Sequence, residues 1–311
     1  MSAAFESVGG LLCVGEALVD LIGEEWTGSV AAVRRFTPHL GGTVANVAVA
    51  AARAGAPVAL AGGAGDDEWG RWVRDRLLAE GVEVSHFRLL PGVATQLAFV
   101  SVAHGGEPTY TLYGPPVQSV VHCLGSEDAE RGVSEALAEG DGLLISSNTL
   151  AEAPERAATL RIREAALERG RPVVFDCNLR LHRWASPADA AAAANACVPG
   201  AALVRANRGE AELMTGERDP ERAARALCRA GARLVVISLG SAGAILRGAQ
   251  RADVAAVPAQ VRSTIGAGDA FTGVLAARLA QSGFDPTAAA AAMGDAAAAA
   301  ARACERWGAH D

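Results

Sequence analysis

The chain has 311 residues, half of them hydrophobic, and its 28 basic and 35 acidic residues give a net charge of −7. That length suits one large α/β core with a small addition, or two domains, and the few aromatics suit a core filled by Ala, Val and Leu. There is no basic tail or cluster, which argues against a nucleic-acid partner. All 28 basic residues are Arg, which excludes a Walker-type phosphate loop and a pyridoxal Schiff base, since both need Lys.

Six cysteines, at 13, 123, 177, 197, 228 and 304, form no C-x-x-C pair and read as reduced thiols. The N-terminus lacks a basic region followed by a sustained apolar run, and the Ala-rich stretch 287–303 carries Asp295 and Arg302, so it reads as a water-soluble helix. A cytoplasmic protein without a membrane partner is expected.

In chain order, short apolar runs alternate with amphipathic segments, the pattern of a parallel sheet covered by helices. The run 11–14 is a first strand that ends at Gly15-Glu16, with Asp20 four residues beyond. Gly41-Gly42-Thr43-Val44-Ala45-Asn46 then leads into a helix over 47–53 that stops at Gly55. A strand is expected over 58–61, a loop over 62–67, and a helix over 68–80 closed by Gly81. The β-prone runs 96–102 and 109–113, joined through His104-Gly105-Gly106-Glu107-Pro108, read as a hairpin. With the residues between Asp20 and Pro38 it makes a small sheet suited to a lid, or else an ordinary edge hairpin.

The βα rhythm resumes with a strand at 143–145, a helix at 154–169 and a strand at 173–176 leading into Cys177-Asn178-Leu179-Arg180. The strand at 201–204 runs toward Asn207-Arg208-Gly209-Glu210, and the strand at 234–237 reaches Ser238-Leu239-Gly240-Ser241-Ala242-Gly243. Polar residues thus gather where strands end, which is where open α/β sheets bind ligands.

The densest chemistry lies in Ser263-Thr264-Ile265-Gly266-Ala267-Gly268-Asp269-Ala270-Phe271. Gly266, Ala267 and Gly268 allow a tight turn whose free amides open a helix and favour an anion in front of it. Asp269, in the same first turn, is placed to take a proton from an attacking hydroxyl. An anion cradle beside a base suggests phosphoryl transfer to an alcohol; the alternative is a plain helix start with Asp269 on its own dipole.

Together these segments resemble the ribokinase-like (PfkB) carbohydrate kinases, most closely their fructokinase branch. The resemblance covers nearly the whole chain and rests on the order of Gly15 to Asp20, Gly41-Gly42-x-x-x-Asn46, Gly65-Asp66-Asp67-x-x-Gly70, Asp176-x-Asn178-x-Arg180, Asn207-x-x-Glu210, Ser238-x-Gly240 and Gly266-Ala267-Gly268-Asp269. It implies a three-layer α/β/α domain with a mostly parallel central sheet and a small β lid. The core would comprise 1–15, 39–92 and 119–311, the lid 16–38 and 93–118.

The resemblance also implies roles. Asp269 corresponds to the catalytic base and Gly266, Ala267 and Gly268 to the anion hole. Asp20, Gly41, Gly42, Asn46 and Arg180 correspond to sugar-binding positions, while Asn178, Asn207, Ser238, Gly240 and Gly243 fall on the nucleotide side. Glu210 would act on Mg²⁺, chiefly through its water. The implied reaction uses ATP and Mg²⁺ to phosphorylate a fructose-like sugar, with 2-keto-3-deoxygluconate kinase, ribokinase, nucleoside kinase or a catalytically weak sugar- or nucleotide-binding regulator as alternatives. A homodimer through the lid is expected. Three departures stand out. Ser263 replaces an Asp linked to a monovalent-cation site, Gly114-Pro115-Pro116 follows Tyr113 where an Arg is common, and Glu305 replaces a neutral hydroxyl near the nucleotide loop.

Overall fold

A computed structural model describes residues 10–113 and 142–310. The expectations at 1–9, 114–141, Cys123 and Gly114-Pro115-Pro116 lie outside the described residues. Nine strands form the main sheet: β1 (Leu11–Val14), β4 (Val58–Gly65), β5 (Phe87–Leu90), β8 (Gly142–Ser146), β9 (Val173–Asp176), β10 (Leu203–Asn207), β11 (Leu234–Ser238), β12 (Ala244–Gly248) and β13 (Ala252–Val254). Their order is β13-β12-β11-β10-β9-β8-β1-β4-β5. All neighbours from β5 to β11 run parallel, and β12 and β13 add an antiparallel edge.

Central strands that are apolar throughout belong in a sheet buried on both faces. The alternation of side chains sorts them into two cores. Leu11, Cys13, Leu144 and Val174 point one way, toward α1 (Thr43–Arg53), α2 (Glu68–Ala79), α7 (Ala267–Gln281) and α8 (Pro286–Cys304). Leu12, Val14, Leu143, Ile145 and Phe175 point the other way, toward α3 (Ala153–Glu168), α4 (Pro187–Asn195), α5 (Arg208–Thr215) and α6 (Pro220–Arg229). Among the described residues, no helix is long and apolar enough to cross a membrane. The cysteines at 13, 177, 197, 228 and 304 are all free thiols.

The second sheet has the order β3-β2-β6-β7, from β3 (Phe36–Gly41), β2 (Leu18–Trp26), β6 (Leu97–Val102) and β7 (Pro108–Tyr113). The hairpin therefore joins the strand that carries Asp20, whose register partners are His39 and Ala98. Leu18, Ile22, Ala98, Val100 and Val102 on its inner face pack with Ile265 and Ala309. On its outer face the Phe99 ring meets Phe36 and Tyr113 edge-on, at 5.0 and 5.2 Å between centroids.

Two boundaries differ from the expectation by four residues. Helix α1 begins at Thr43, four residues early, because Glu16 reaches across to accept the Thr43 N–H at 2.9 Å, capping a helix whose N-cap Gly42 has no side chain. Strand β4 continues through the glycines to Gly65, where pairing with β5 overrides their weak strand propensity. The β12–β13 edge has no counterpart among the expected elements.

Candidate active site

A cleft of about 990 Å³ opens at the C-terminal ends of β1, β8, β9 and β10, with the small sheet along one side. Its wall includes Asp20, Gly42, Asn46, Asn178 and Arg180, together with Asn207, Gly266, Gly268 and Asp269. Residues that are far apart in sequence therefore meet at one place.

Asp269 lies in the first turn of α7, behind a turn in which Gly266 takes the left-handed φ of +71°. A side chain at Gly266 would strike Ala309, and one at Gly268 would meet the Arg205 guanidinium within 2.6 Å. Small residues also set the approach of α1. A Cβ on Gly273 would come within 2.5 Å of Ala50, so glycine there lets α1 pack close enough for Asn46 Nδ2 to donate to Asp269 Oδ2 at 2.8 Å. The imidazole N–H of His310 donates to Asn46 Oδ1 at 2.9 Å, which fixes the amide so that its NH₂ faces the carboxylate.

On the other side, Asn178 Nδ2 lies 3.4 Å from Asp269 Oδ1 and donates to Thr43 Oγ1 at 2.6 Å. Asn178 holds a positive φ of 36°, a strain that Asn tolerates better than most residues and that aims its amide into the cleft. Burial, reinforced by the charge of nearby Asp176, pushes Asp269 up to about 7; Asn46, Arg180 and Arg205 oppose the rise. Burial pushes Asp20 up to about 7 as well, against the pull of His39. Gly41 has no room for a side chain because the Asp20 carboxylate occupies that space.

The remaining expected residues lie off the cleft wall. Glu210 is buried and accepts backbone N–H groups from Leu179 (2.9 Å) and Asn207 (2.7 Å), completing a capping box on α5. Ser238 Oγ accepts from Arg205 at 3.0 Å, and Gly240 and Gly243 form the turn after β11. Ala267 contributes backbone at the first position of α7. Sequence reasoning missed Arg205, an apolar-strand residue by position, which is 7% exposed and surrounded by Asp176, Glu210 and Asp269. It also missed Asn148 and His310; a polar residue just past β8 was a usable signal for the first, and nothing pointed to the second.

Comparison with known proteins agrees with this geometry. The family model described as pfkB family carbohydrate kinase matches residues 9–309. The chain belongs to the pfkB carbohydrate kinase family. Among curated relatives of this pfkB kinase, the fructokinase of Klebsiella pneumoniae is 32% identical over 279 residues, 89% of this chain and 86% of that protein. Fructokinase-1 of Oryza sativa subsp. japonica is 32% identical over 269 residues, 86% and 82% of the two chains. The solved fructokinase of Vibrio cholerae O395 in its fructose, ADP and calcium ion bound form is 28% identical, with a TM-score of 0.82 and coverage of 97% and 94%. A double mutant of that protein holds fructose, ADP and potassium ion. The pfkB kinase thus has the ribokinase-like α/β fold, and it is an enzyme that phosphorylates carbohydrate.

Proposed function

We propose that the chain transfers the γ-phosphate of ATP to a hydroxyl of fructose or a close analogue, with Asp269 as the base. The observation that carries this reading is the position of Asp269. It is held by Asn46 at 2.8 Å, sits at the amide-rich start of α7, and is pushed by burial up to about 7, so that near neutrality a large fraction is ionised and a competent base. Asp20, Asn46 and the backbone at Gly41-Gly42 orient the sugar, and Arg180 lies within reach of either the sugar or the phosphate. Once the hydroxyl attacks in line, its proton passes to an Asp269 carboxylate oxygen. The amides of Gly266, Ala267 and Gly268, with the guanidinium of Arg205 beneath them, stabilise the charge on the moving phosphoryl group.

The acidic cluster suits a divalent cation. Asp176, Glu210 and Asp269 face two guanidinium groups, those of Arg205 and Arg180, so three carboxyls meet two cations, yet among the described residues no three His, Cys, Asp or Glu converge as a metal cage. This fits Mg²⁺, which keeps much of its water and binds substrate phosphates, whose charge it neutralises. Asn207 and Glu210 would hold it through that water, since both Glu210 oxygens already accept N–H groups. Asn178, Ser238, Gly240 and Gly243 would frame the nucleotide.

The aromatic outer face of the small sheet, with Tyr113 58% exposed, supports a homodimer formed through the lid. Phe99→Asp should convert a dimer to monomer on a sizing column. The reading as a whole is tested by coupled ATP turnover over a panel of fructose, ribose, 2-keto-3-deoxygluconate and nucleosides with Mg²⁺. Fructose should have the highest kcat/KM; another preferred acceptor would reassign the substrate, and no turnover on any would overturn the fructose assignment.

A further inference from the structure

Glu16 is the first polar side chain beyond β1 and stands on the cleft wall, 7% exposed. Its Oε1 accepts two hydrogen bonds, from the Thr43 N–H at 2.9 Å and from Asn148 Nδ2 at 2.8 Å. Its Oε2 is buried and has no hydrogen-bond partner among the described residues. Capping α1 and holding Asn148 use one oxygen, and the charge gains from the helix N-terminus, but neither role engages the second oxygen. A carboxylate supplies a second, more strongly accepting oxygen, and leaving that oxygen without a donor inside the protein is costly.

The surrounding bonds hold the Glu16 carboxylate in place. Asn148 Nδ2 also donates to Thr43 Oγ1 at 3.1 Å, and Thr43 Oγ1 accepts from Asn178, which lies beside Asp269. One polar network therefore sets the position of Glu16 relative to the base, so a group bound at Oε2 is held in register with the reacting centre. The cleft already offers donors of its own to Oε1, and what it lacks is a donor for Oε2.

We propose that Glu16 is a specificity-determining residue of the acceptor site, its Oε2 accepting a hydrogen bond from one hydroxyl of the bound sugar. The inference rests on the sugar-kinase reading and deepens it: Asp20 and Glu16 select two different hydroxyls, while Asp269 acts on the one that reacts. An acceptor lacking the hydroxyl at Glu16 would leave this carboxylate oxygen unpaired in the complex, which is how a polar site rejects a deoxy analogue.

Glu16→Gln is the direct probe. The two donors at Oε1 force the glutamine carbonyl to face them, so the amide nitrogen takes the place of Oε2 and an acceptor becomes a donor. Steady-state kinetics are measured for wild type and variant with fructose and with fructose analogues each lacking one hydroxyl, alongside thermal melts. The sugar KM should rise roughly ten- to hundredfold, the loss expected for a hydrogen bond to a charged group. The ATP KM should stay unchanged, Tm should not fall, and one analogue that the wild type handles poorly should be handled no worse by the variant. An unchanged sugar KM, or equal rises in both KM values with a lowered Tm, would assign Glu16 to capping α1 alone. If the variant does not fold, Glu16→Asp, which keeps the charge and withdraws the oxygen by about one methylene, must show the same selectivity change or the proposal falls. If wild type turns over another sugar and not fructose, the substrate reading fails separately, and the same comparison is run on that sugar and its deoxy analogues.

Discussion

The two halves of the cleft treat their polar groups differently. On the acceptor side, burial holds the Asp20 carboxyl up at about 7, Glu16 Oε2 has no partner among the described residues, and Asp269 keeps one oxygen only loosely engaged at 3.4 Å. On the phosphate side, Glu210 is held by two backbone amides, Asp176 accepts from Thr272 at 3.0 Å and from Arg205 at 3.4 Å, and Ser238 is bonded to Arg205. The acceptor half is built to be completed by a ligand that brings many weak donors. In the phosphate half the carboxylates are already engaged and only a donor, Arg205 Nε, is left without a hydrogen-bond partner among the described residues, which suits a ligand that brings strong negative charge of its own. Buried, under-partnered carboxylates cost stability, so the acceptor half should be where function and stability oppose each other.

The sharpest test of that opposition is Asp269→Asn, for which kcat should fall by ~10²–10⁴, the usual loss on removing a general base. Its stability should move the other way. The folded pKa of Asp269 is raised from 3.8 to about 7, so the unfolded chain holds fewer protons between these values and the native state loses stability as pH rises through that window. The penalty is absent below the lower value and complete above the upper. Melts should therefore show Asp269→Asn more stable than wild type at pH 8 and the two nearly equal near pH 4; a variant less stable at pH 8 would break the contrast between the halves. The same pKa predicts an acid limb near pH 7 in wild-type kcat/KM, with activity lost below it.

Gly273→Leu tests how the acceptor half is assembled. The added side chain must push α1 from α7, because even a Cβ at this position would lie only 2.5 Å from that of Ala50, and so draw Asn46 away from Asp269. Overpacking should cost roughly 1–3 kcal/mol of stability, read in a denaturant titration. A drop in turnover beyond the fraction unfolded should accompany it, and full activity would show that the Asn46 contact is dispensable.

Glu210→Gln sharpens the comparison from the other half. The amide can satisfy only one of the two backbone donors, so about 1–2 kcal/mol should be lost, with a several-fold rise in ATP KM and none in sugar KM. A change confined to sugar KM would mean that the halves are not separate.

Much of the fold was legible because the central strands are continuous apolar runs and the helices between them are amphipathic. The hairpin was legible from its two β-prone runs and the glycines between them, and Ala98, Val100 and Val102 share the buried face. The first turn of α7 was legible as a helix start, because small residues followed by an acid favour one. What escaped depended on contacts distant in sequence. Arg205 sits inside a strand, where local pattern assigns it to no site. Glu16 caps a helix 27 residues away, and His310 meets Asn46 across 264. Ser238, Gly240 and Gly243 carry the pattern of a phosphate loop, yet they lie off the cleft wall, where strand-end reasoning alone cannot position them.

The smallest expected effect concerns monovalent cations. The resemblance places a carboxylate at 263 that helps hold a cation, and a solved Vibrio cholerae fructokinase form contains potassium. Here Ser263 is fully buried, its hydroxyl donates to the Trp307 carbonyl at 3.0 Å, and its oxygen accepts the Ile265 N–H at 3.3 Å. Two further bonds, from the Arg262 and Ser263 amides to the Cys304 carbonyl, fasten the same turn to the C-terminal segment. A neutral hydrogen bond thus ties together the segments that a carboxylate and a cation would otherwise bridge, and it does so just ahead of Gly266, where the turn must be fixed for the amides of α7 to converge. Without the carboxylate's charge, little favours a monovalent ion over water. Replacing K⁺ by tetramethylammonium at constant ionic strength should therefore change kcat/KM by about twofold or less. Ser263→Asp should lower activity in tetramethylammonium, because a buried unpaired charge would push on the Trp307 carbonyl, and K⁺ should restore it. Strong K⁺ activation of the wild type would show that backbone carbonyls alone hold the ion and that the hydroxyl has not taken over its task.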